Sequence, residues 1–174
     1  NVSLDDVVSI GIGTPGSVDS EHGILVYANN FKEKENIKMR EIIQSYIDKP
    51  VYMTNDANAA ALGEVVAGAA KGYKNVVVIT LGTGVGGGVI INGQLYEGQY
   101  SAGAELGHIM LIHDGEQCSC GRKGCWEAYA SATALIRQTK KAMEEHPDSY
   151  MNKIATLDNV SGRTAFIAAK NGDA

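Results

Sequence analysis

The sequence lacks any apolar run long enough to span a membrane, and it has no excess of positive charge. Its 174 residues include 15 basic and 20 acidic side chains, which gives a formal charge of −5. An acidic chain of this kind argues against a nucleic-acid-binding function. The N-terminal segment NVSLDDVVSI has no basic stretch before an apolar one, so we expect no secretory signal and a cytoplasmic location.

Internal repeats, low-complexity tracts and long linkers are also absent, and cysteine is scarce. The three cysteines, Cys118, Cys120 and Cys125, lie within eight positions of one another. In a chain without an export signal, closely spaced cysteines in an odd number favour a metal site or reactive thiols over a disulfide framework. Apolar residues make up 44% and charged residues 20%, which is typical of a domain with a packed core.

Apolar patterns predict alternating strands and helices along the chain. Short β-branched or apolar runs predict strands at VVSIGIGTPG and at residues 23–28, 51–54 and 76–81. Helical spacing predicts helices over 37–47, over ANAAALGEVVAGAA, from 126 to about 145, and over 163–170. The order strand, helix, strand, helix indicates a layered α/β fold.

Glycine is abundant, with 21 residues, and it is concentrated between Gly82 and Gly88. Gly82, Gly84 and Gly87 satisfy the dinucleotide-binding pattern G-x-G-x-x-G, but that motif requires a helix to begin at the loop. Here β-branched residues and the hairpin signal Asn92-Gly93 follow instead, so we expect a glycine-rich turn between two strands. Such a turn either binds phosphate through backbone N–H groups, with Thr83 adding a hydroxyl, or is a tight hairpin without a ligand.

The cysteines follow the spacing C-x-C-x4-C, and His108 precedes Cys118 by ten residues. Three thiolates and one imidazole are the right number and kind of ligands for a closed tetrahedral zinc site. Gly121 and Gly124 would allow the tight loop that such a site needs. His113 competes with His108 on spacing alone, and three reduced cysteines without a metal are the alternative. A closed site would shape a loop and leave no position for an activated water.

Acidic residues stand beside these motifs. Asp56 follows a predicted strand and precedes a predicted helix, where an N-cap is found but where ligands of α/β sheets also bind. Asn55 beside it offers both a donor and an acceptor. Glu105 lies three residues before His108, and Glu127 lies two residues after the last cysteine. A zinc loop would hold these groups together as a polar cluster suited to a polyhydroxylated ligand, although each glutamate alone is more typical of a solvated surface charge.

The combination of TND-AN, LGTGVGGG, GAELGH and CSCGRKGCWEAYAS resembles the ROK family of bacterial sugar kinases and sugar-responsive repressors, and most of all its glucokinases. The resemblance implies an α/β fold of the actin-like ATPase (ribonuclease H-like) type, with sugar and ATP bound between two lobes. Residues 1–60 would belong to the small N-terminal lobe and residues 61–174 to the larger one. The implied reaction transfers the γ-phosphoryl group of Mg-ATP to a hexose, converting glucose to glucose 6-phosphate.

The resemblance also implies a role for each matching residue. Asp56 matches the catalytic base that accepts the proton of the attacking hydroxyl. The sugar-binding positions are Gly16, Asn29, Asn55, Asp56, Glu105, His108 and Glu127. The phosphate hairpin that contacts ATP is formed by Gly82, Thr83, Gly84, Val85 and Gly86. The ligands of a structural Zn²⁺ are His108, Cys118, Cys120 and Cys125, and Mg²⁺ accompanies the ATP.

Family kinases begin with a D-x-G-G-T phosphate loop and continue into an adenosine-binding segment, so we expect this sequence to be a fragment of a longer chain. Two alternatives stay open within the family. A repressor would carry a helix-turn-helix and bind nucleic acid, and a related kinase would act on N-acetylmannosamine or N-acetylglucosamine. The intact hairpin glycines and the Asn55-Asp56 pair favour a kinase. Relatives are commonly dimers or tetramers, which implies a homo-oligomer.

Overall fold

The structure, a computed structural model, describes residues 3–28 and 35–173. The predicted sugar-binding residue Asn29 lies outside the described residues. The chain divides into two compact units, one formed by Asn1–Thr80 and Gly87–Glu105 and the other by Leu81–Gly86 and Leu106–Ala174. The lobe boundary expected after residue 60 stays a prediction.

The first unit is built mainly from strands. Its elements are β1 (Ile10–Thr14), β2 (Ser17–Asp19), β3 (Ile24–Tyr27), β4 (Glu35–Ile37), α1 (Met39–Gln44), β5 (Val51–Asn55), α2 (Asp56–Ala67), β6 (Val76–Leu81), β7 (Val85–Ile91) and β8 (Gln94–Leu95), with short 3₁₀ turns at Leu4–Asp6 and Gln99–Ser101. The residues that join β6 to β7 belong to the second unit.

Strand pairing in the first unit forms three small sheets. β1 and β5 are parallel, and Thr14 lies opposite Asn55, so both strands end at the same sheet edge. The other two sheets have the orders β2-β3-β4 and β6-β7-β8. In β4, Ile37 pairs with Leu25 of β3. This pairing explains why α1 begins at Met39, two residues later than predicted.

The core of the first unit lies between β1, β3 and β5. Its fully buried members are Val18, Leu25, Ala28 and Met53, and the partly buried side chains of Ile12, Ile37 and Met39 pack against them. Burial of each large apolar side chain contributes about 1.5–3 kcal/mol. The core therefore fixes β5, which ends at the predicted sugar-binding residue Asn55 and directly precedes the predicted catalytic residue Asp56.

Helix α2 packs against β7 through small residues. A Cβ atom at Gly88 would overlap the Ala61 methyl group and the Ala57 carbonyl. Ala61 is completely buried. Gly88 is therefore required by the close approach of helix and strand.

The second unit is mainly helical. It contains a 3₁₀ turn at Leu106–His108 and the helices α3 (Glu127–Ala130), α4 (Ala132–Glu145), α5 (Met151–Ile154) and α6 (Thr164–Lys170). The single helix predicted from 126 to about 145 is wrong, because Ser131 is extended and its side chain accepts a hydrogen bond from the Ala134 N–H, which caps α4. The short α5 was not predicted. None of the helices in the described ranges has the length and apolar character of a membrane span.

Candidate functional site

Asn55, the last residue of β5, caps helix α2. Its Oδ1 accepts hydrogen bonds from the N–H groups of Ala57 at 2.9 Å and Asn58 at 3.3 Å. Its Nδ2 donates to the carbonyl of Gly16 at 3.1 Å. A carboxylate at position 55 could cap the helix but could not make the bond to Gly16. The N-cap interpretation of Asp56 is wrong, because Asn55 is the N-cap and Asp56 is the first helical residue.

Asp56 is the first residue of α2 and is exposed. One carboxylate oxygen, Oδ1, accepts the N–H of Ala57 at 2.9 Å. Since Asn55 provides the cap, Oδ2 of Asp56 is not used to begin the helix. The arrangement leaves a carboxylate oriented at the carboxyl end of a parallel strand, where α/β proteins bind ligands.

Glu97 holds the strand end that precedes this pair. Its Oε1 accepts the hydroxyl of Thr54 at 3.3 Å, and its Oε2 accepts the hydroxyl of Ser20 at 3.0 Å. These contacts join residues 43 and 77 positions apart in the chain, so no local pattern in the sequence could have indicated them. Glu97 is a residue that sequence reasoning missed.

Gly16 lies in the turn after β1 and has a φ of +89°, in the left-handed region. A Cβ atom there would overlap the Tyr27 carbonyl and Ala28, so this position requires glycine.

Glu105 is exposed and directly precedes the 3₁₀ turn at Leu106–His108. Sugar binding by Gly16 and Glu105 stays a prediction.

The second unit brings together His108, Cys118, Cys120 and Cys125. Their potential ligand atoms all lie within 4.8 Å of one another. The Sγ atoms of Cys120 and Cys125 are 3.7 Å apart, and Cys118 Sγ lies 3.6 Å from His108 Nδ1. Zinc–sulfur bonds of ~2.3 Å in a tetrahedron imply sulfur separations of ~3.8 Å. The donors and these distances therefore fit zinc. His113 is exposed and lies beside Asp114, so the structure selects His108 from the two candidates.

Glycines shape the loop that carries the cysteines, which we call the metal loop (residues 116–125). Gly121 and Gly124 have φ values of +87° and +77°. A Cβ atom at Gly124 would also overlap the carbonyl of Ile112. The Cys118 N–H donates to the Arg122 carbonyl at 2.8 Å. This bond closes the turn that carries Cys118 and Cys120 and precedes Cys125.

Arg122 supports the metal ligands electrostatically. Burial acts to raise the pKa of the Cys120 thiol, but hydrogen bonds from the Arg122 backbone and guanidinium and from the neighbouring thiols outweigh it and lower that pKa to about 6. Burial, together with hydrogen bonds to the other two cysteines, raises the pKa of Cys125 to about 11. Arg122 Nη2 also donates to the His108 carbonyl at 3.2 Å. Sequence reasoning did not single out this arginine, which contacts three of the four predicted ligands, His108, Cys118 and Cys120.

The hairpin tip, residues 81–86, is anchored to the start of α4. The Ala132 N–H donates to the Gly82 carbonyl at 2.8 Å, and the Thr133 hydroxyl donates to the Thr83 carbonyl at 2.9 Å. The predicted turn between two strands is confirmed, because β6 ends at Leu81, β7 begins at Val85 and no helix begins there. The last glycines of the cluster, residues 86–88, lie within β7.

Glu127, the first residue of α3, contacts both the hairpin tip and the metal loop. Its Oε2 accepts the Val85 N–H at 3.0 Å, and its Oε1 accepts the Ser119 hydroxyl at 2.9 Å. A Cβ atom at Gly84 would overlap Oε2. Ser119 was not singled out in the sequence, where a serine between two cysteines carries no functional signal of its own.

Comparison with known proteins decides the family. The ROK family model matches residues 1–174. The chain belongs to the ROK family. It is 41% identical over 165 residues to a glucokinase from Thermotoga maritima, which covers 94% of this chain and 52% of that protein. It is 39% identical over 158 residues to the xylose repressor of Bacillus subtilis, which covers 87% of this chain and 41% of the repressor.

A ROK glucokinase from Streptomyces griseus, solved in complex with glucose and AMPPNP, superimposes with a TM-score of 0.84. It is 38% identical, and the match covers 97% of this chain and 55% of that chain. The predicted α/β fold of the actin-like ATPase type is confirmed by this likeness to ROK sugar kinases. The chain spans about half the length of the curated glucokinases that it matches, 52% and 54% in two of them.

Proposed function

We propose that this chain is part of an ATP-dependent hexose kinase that converts glucose to glucose 6-phosphate. The observation that carries the proposal is the exposed Asp56 carboxylate at the end of β5, which the Asn55 cap frees from a purely structural role. The 41% identity to a glucokinase and the likeness to a glucose complex support the choice of sugar. Mg²⁺ would accompany the ATP and neutralise charge on its phosphates.

Asp56 would act as the general base. Phosphoryl transfer depends mainly on positioning and charge stabilisation, and a carboxylate that accepts the proton of the attacking hydroxyl completes the nucleophile. The bond between Asp56 Oδ1 and the Ala57 N–H fixes the orientation of the carboxylate. Its Oδ2 is then the atom that would take the proton from the sugar.

Sugar recognition would use the polar groups near the strand ends and the metal loop. Asn55 commits one amide N–H to Gly16 and its oxygen to α2, so its second amide N–H is the donor that it would offer to a sugar hydroxyl. Glu105 and Glu127 would accept hydrogen bonds from sugar hydroxyls. His108 Nε2, the ring nitrogen that does not face Cys118, would also bind the sugar. Gly16 and Asn29 keep the sugar-binding assignments made from the resemblance.

Zinc would hold the metal loop in the conformation that supports His108 and Glu127. The four ligands would form a closed site, so the metal would contribute structure and not an activated water.

The ATP phosphates would be approached by four residues of the hairpin tip, Gly82, Thr83, Gly84 and Gly86. Val85 differs from these four, because its N–H already donates to Glu127.

The test is ADP release by the full-length protein with Mg-ATP and glucose, N-acetylmannosamine, N-acetylglucosamine or fructose. For Asp56→Asn we expect kcat to fall about 10²–10⁴-fold while the glucose Kd changes little, because the amide keeps the size and the Ala57 contact. Asp48→Asn, another exposed aspartate of the first unit, is the matched control. Lost glucose binding with unchanged kcat would contradict the base assignment, and preference for an amino sugar would change the substrate.

A sugar-responsive repressor is the second candidate, because the xylose repressor of Bacillus subtilis is 39% identical to the chain. It would bind sugar through the same residues and would add a nucleic-acid partner. Measurable sugar binding without turnover of any sugar, together with sugar-dependent binding to DNA, would favour this candidate. Oligomeric state, for which a dimer or tetramer is proposed from the resemblance, is measured in the same samples by light scattering.

A further inference from the structure

The Glu127 carboxylate contacts three groups from two segments of the second unit, and the longest contact joins Cys118 Sγ to Oε1 at 3.8 Å. The Val85 N–H of the hairpin tip donates to Oε2 at 3.0 Å, and the Ser119 hydroxyl of the metal loop donates to Oε1 at 2.9 Å. Ser119 lies between two predicted metal ligands, Cys118 and Cys120. One carboxylate thus joins the metal loop to the hairpin tip.

Gly84 supplies an independent steric observation. Any side chain at this position would overlap Glu127 Oε2, although the φ of Gly84 is not in the left-handed region. A side chain at this position would therefore displace the carboxylate from its bond with the Val85 N–H. The glycine leaves room for Glu127 at the hairpin tip.

We propose that Ser119 is a positioning residue that, with the Val85 N–H, sets the orientation of the Glu127 carboxylate for sugar binding. The proposal rests on the proposed function of Glu127 as a sugar ligand. Through the same carboxylate, Ser119 also links the conformation of the metal loop to that of the hairpin tip.

The physical basis is the freedom of a glutamate side chain. The terminal torsion of glutamate is broad, so an unrestrained carboxylate samples many orientations. The Val85 N–H on Oε2 and the Ser119 hydroxyl on Oε1 restrict it to one orientation before the sugar arrives. Oε2 has a second acceptor position, so the held carboxylate can still accept a hydrogen bond from a sugar hydroxyl. Pre-orientation of this kind reduces the entropic cost of binding.

The two donors act differently when the metal loop changes. Val85 belongs to the hairpin tip, which is anchored independently by the α4 contacts of Gly82 and Thr83. Ser119 depends on the loop that Cys118 and Cys120 close around a metal. Loss of the Ser119 hydroxyl therefore reproduces one consequence of an unfolded metal loop while the metal ligands are retained.

The experiment compares Ser119→Ala, Ser119→Thr and Lys123→Ala in the full-length protein, after zinc content is shown to be equal. Lys123 is an exposed residue of the same loop and is the control. We expect Ser119→Ala to raise the glucose Kd about three- to tenfold, a moderate effect because the hydrogen bond is exposed. Ser119→Thr, which keeps the hydroxyl, should restore the affinity, and kcat at saturating sugar should change less than about twofold.

A second readout requires neither sugar nor catalysis. Amide hydrogen exchange at Val85, followed by NMR, should be faster in Ser119→Ala and faster still in Glu127→Ala. Glu127→Gln should keep the protection, because its amide oxygen can accept the Val85 N–H while its nitrogen faces the Ser119 hydroxyl. Unchanged Val85 exchange in Ser119→Ala would overturn the link between the two segments.

Further outcomes separate this proposal from the proposed function. If Ser119→Ala binds glucose as the Lys123→Ala control does, or if Ser119→Thr fails to restore affinity, the positioning role is wrong even when the protein is an active kinase. If the wild-type protein phosphorylates no sugar, the proposed function fails. The Val85 exchange rates then still decide whether Ser119 orients Glu127.

Discussion

Replacement of Asn55 separates the two structural tasks of this side chain. Asn55→Ala removes the α2 cap and the bond to the Gly16 carbonyl, whereas Asn55→Asp keeps a good cap but cannot donate to Gly16. Loss of a cap costs about 1 kcal/mol, and loss of a partly buried hydrogen bond costs about 1 kcal/mol. We therefore expect the free energy of unfolding to fall by about 2 kcal/mol in Asn55→Ala and by about 1 kcal/mol in Asn55→Asp.

The assay is denaturant unfolding of the full-length protein, combined with hydrogen exchange of the Ala57 and Asn58 amides. The Asn58 amide should lose protection in Asn55→Ala and keep it in Asn55→Asp. The Ala57 amide also donates to Asp56 Oδ1, so it should lose less protection in Asn55→Ala. Ser131→Ala is the matched control, because the Ser131 side chain caps α4 through one hydrogen bond, while its backbone N–H keeps its bond to the Glu127 carbonyl in the variant. It should cost about 1 kcal/mol and lower the kcat/KM for glucose less than Asn55→Ala does.

The catalytic consequence follows from the position of Asp56 directly after the cap. When the cap is lost, the first turn of α2 and the Gly16 turn are no longer tied together, so the kcat/KM for glucose should fall in Asn55→Ala by more than in Ser131→Ala. The reasoning is refuted if Asn55→Asp destabilises as much as Asn55→Ala, since the cap would then contribute nothing. It is equally refuted if neither variant is less stable than the wild type.

Two further predictions concern the metal loop. Removal of zinc by a chelator, or Cys120→Ser, should weaken glucose binding. Calorimetry measures the affinity, and the metal content is determined in the same samples. Unchanged affinity in a metal-free sample would contradict the supporting role of the metal. Gly124→Ala should prevent zinc binding because its methyl group would overlap the Ile112 carbonyl, whereas Gly121→Ala has open space and should cost only about 1 kcal/mol of backbone strain. Equal zinc stoichiometry in both variants would show that the loop adapts.

Sequence reasoning succeeded where the determining forces are local. The strand before the glycines, the Asn92-Gly93 turn and the grouping of cysteines with His108 all depend on residues close in the chain. Sequence reasoning failed where a residue far away in the chain determines the local structure. Asparagine and aspartate are equally good caps by propensity, and the Gly16 carbonyl, 39 residues away, selects an amide at position 55.

Helix boundaries show the same division. Helix α1 begins two residues later than predicted, because Ile37 belongs to β4 and pairs with β3. The break at Ser131 had a local signal, since serine is a preferred cap, but the helical apolar pattern on both sides concealed it. The positioning contacts of Glu97 and Glu127 had no such signal, because they join segments far apart in the sequence.

The contact of Gly88 with Ala61 and Ala57 sets a rule for how this sequence can change. The methyl group that Ala61 presents to β7 and the hydrogen that Gly88 presents to α2 occupy the same layer, so enlargement on one side must be offset on the other. Ala61→Gly would relieve the overlap of Gly88→Ala with the methyl group, but the overlap with the Ala57 carbonyl would stay. We therefore expect position 88 to retain glycine, and the double variant to recover only part of the stability that Gly88→Ala loses.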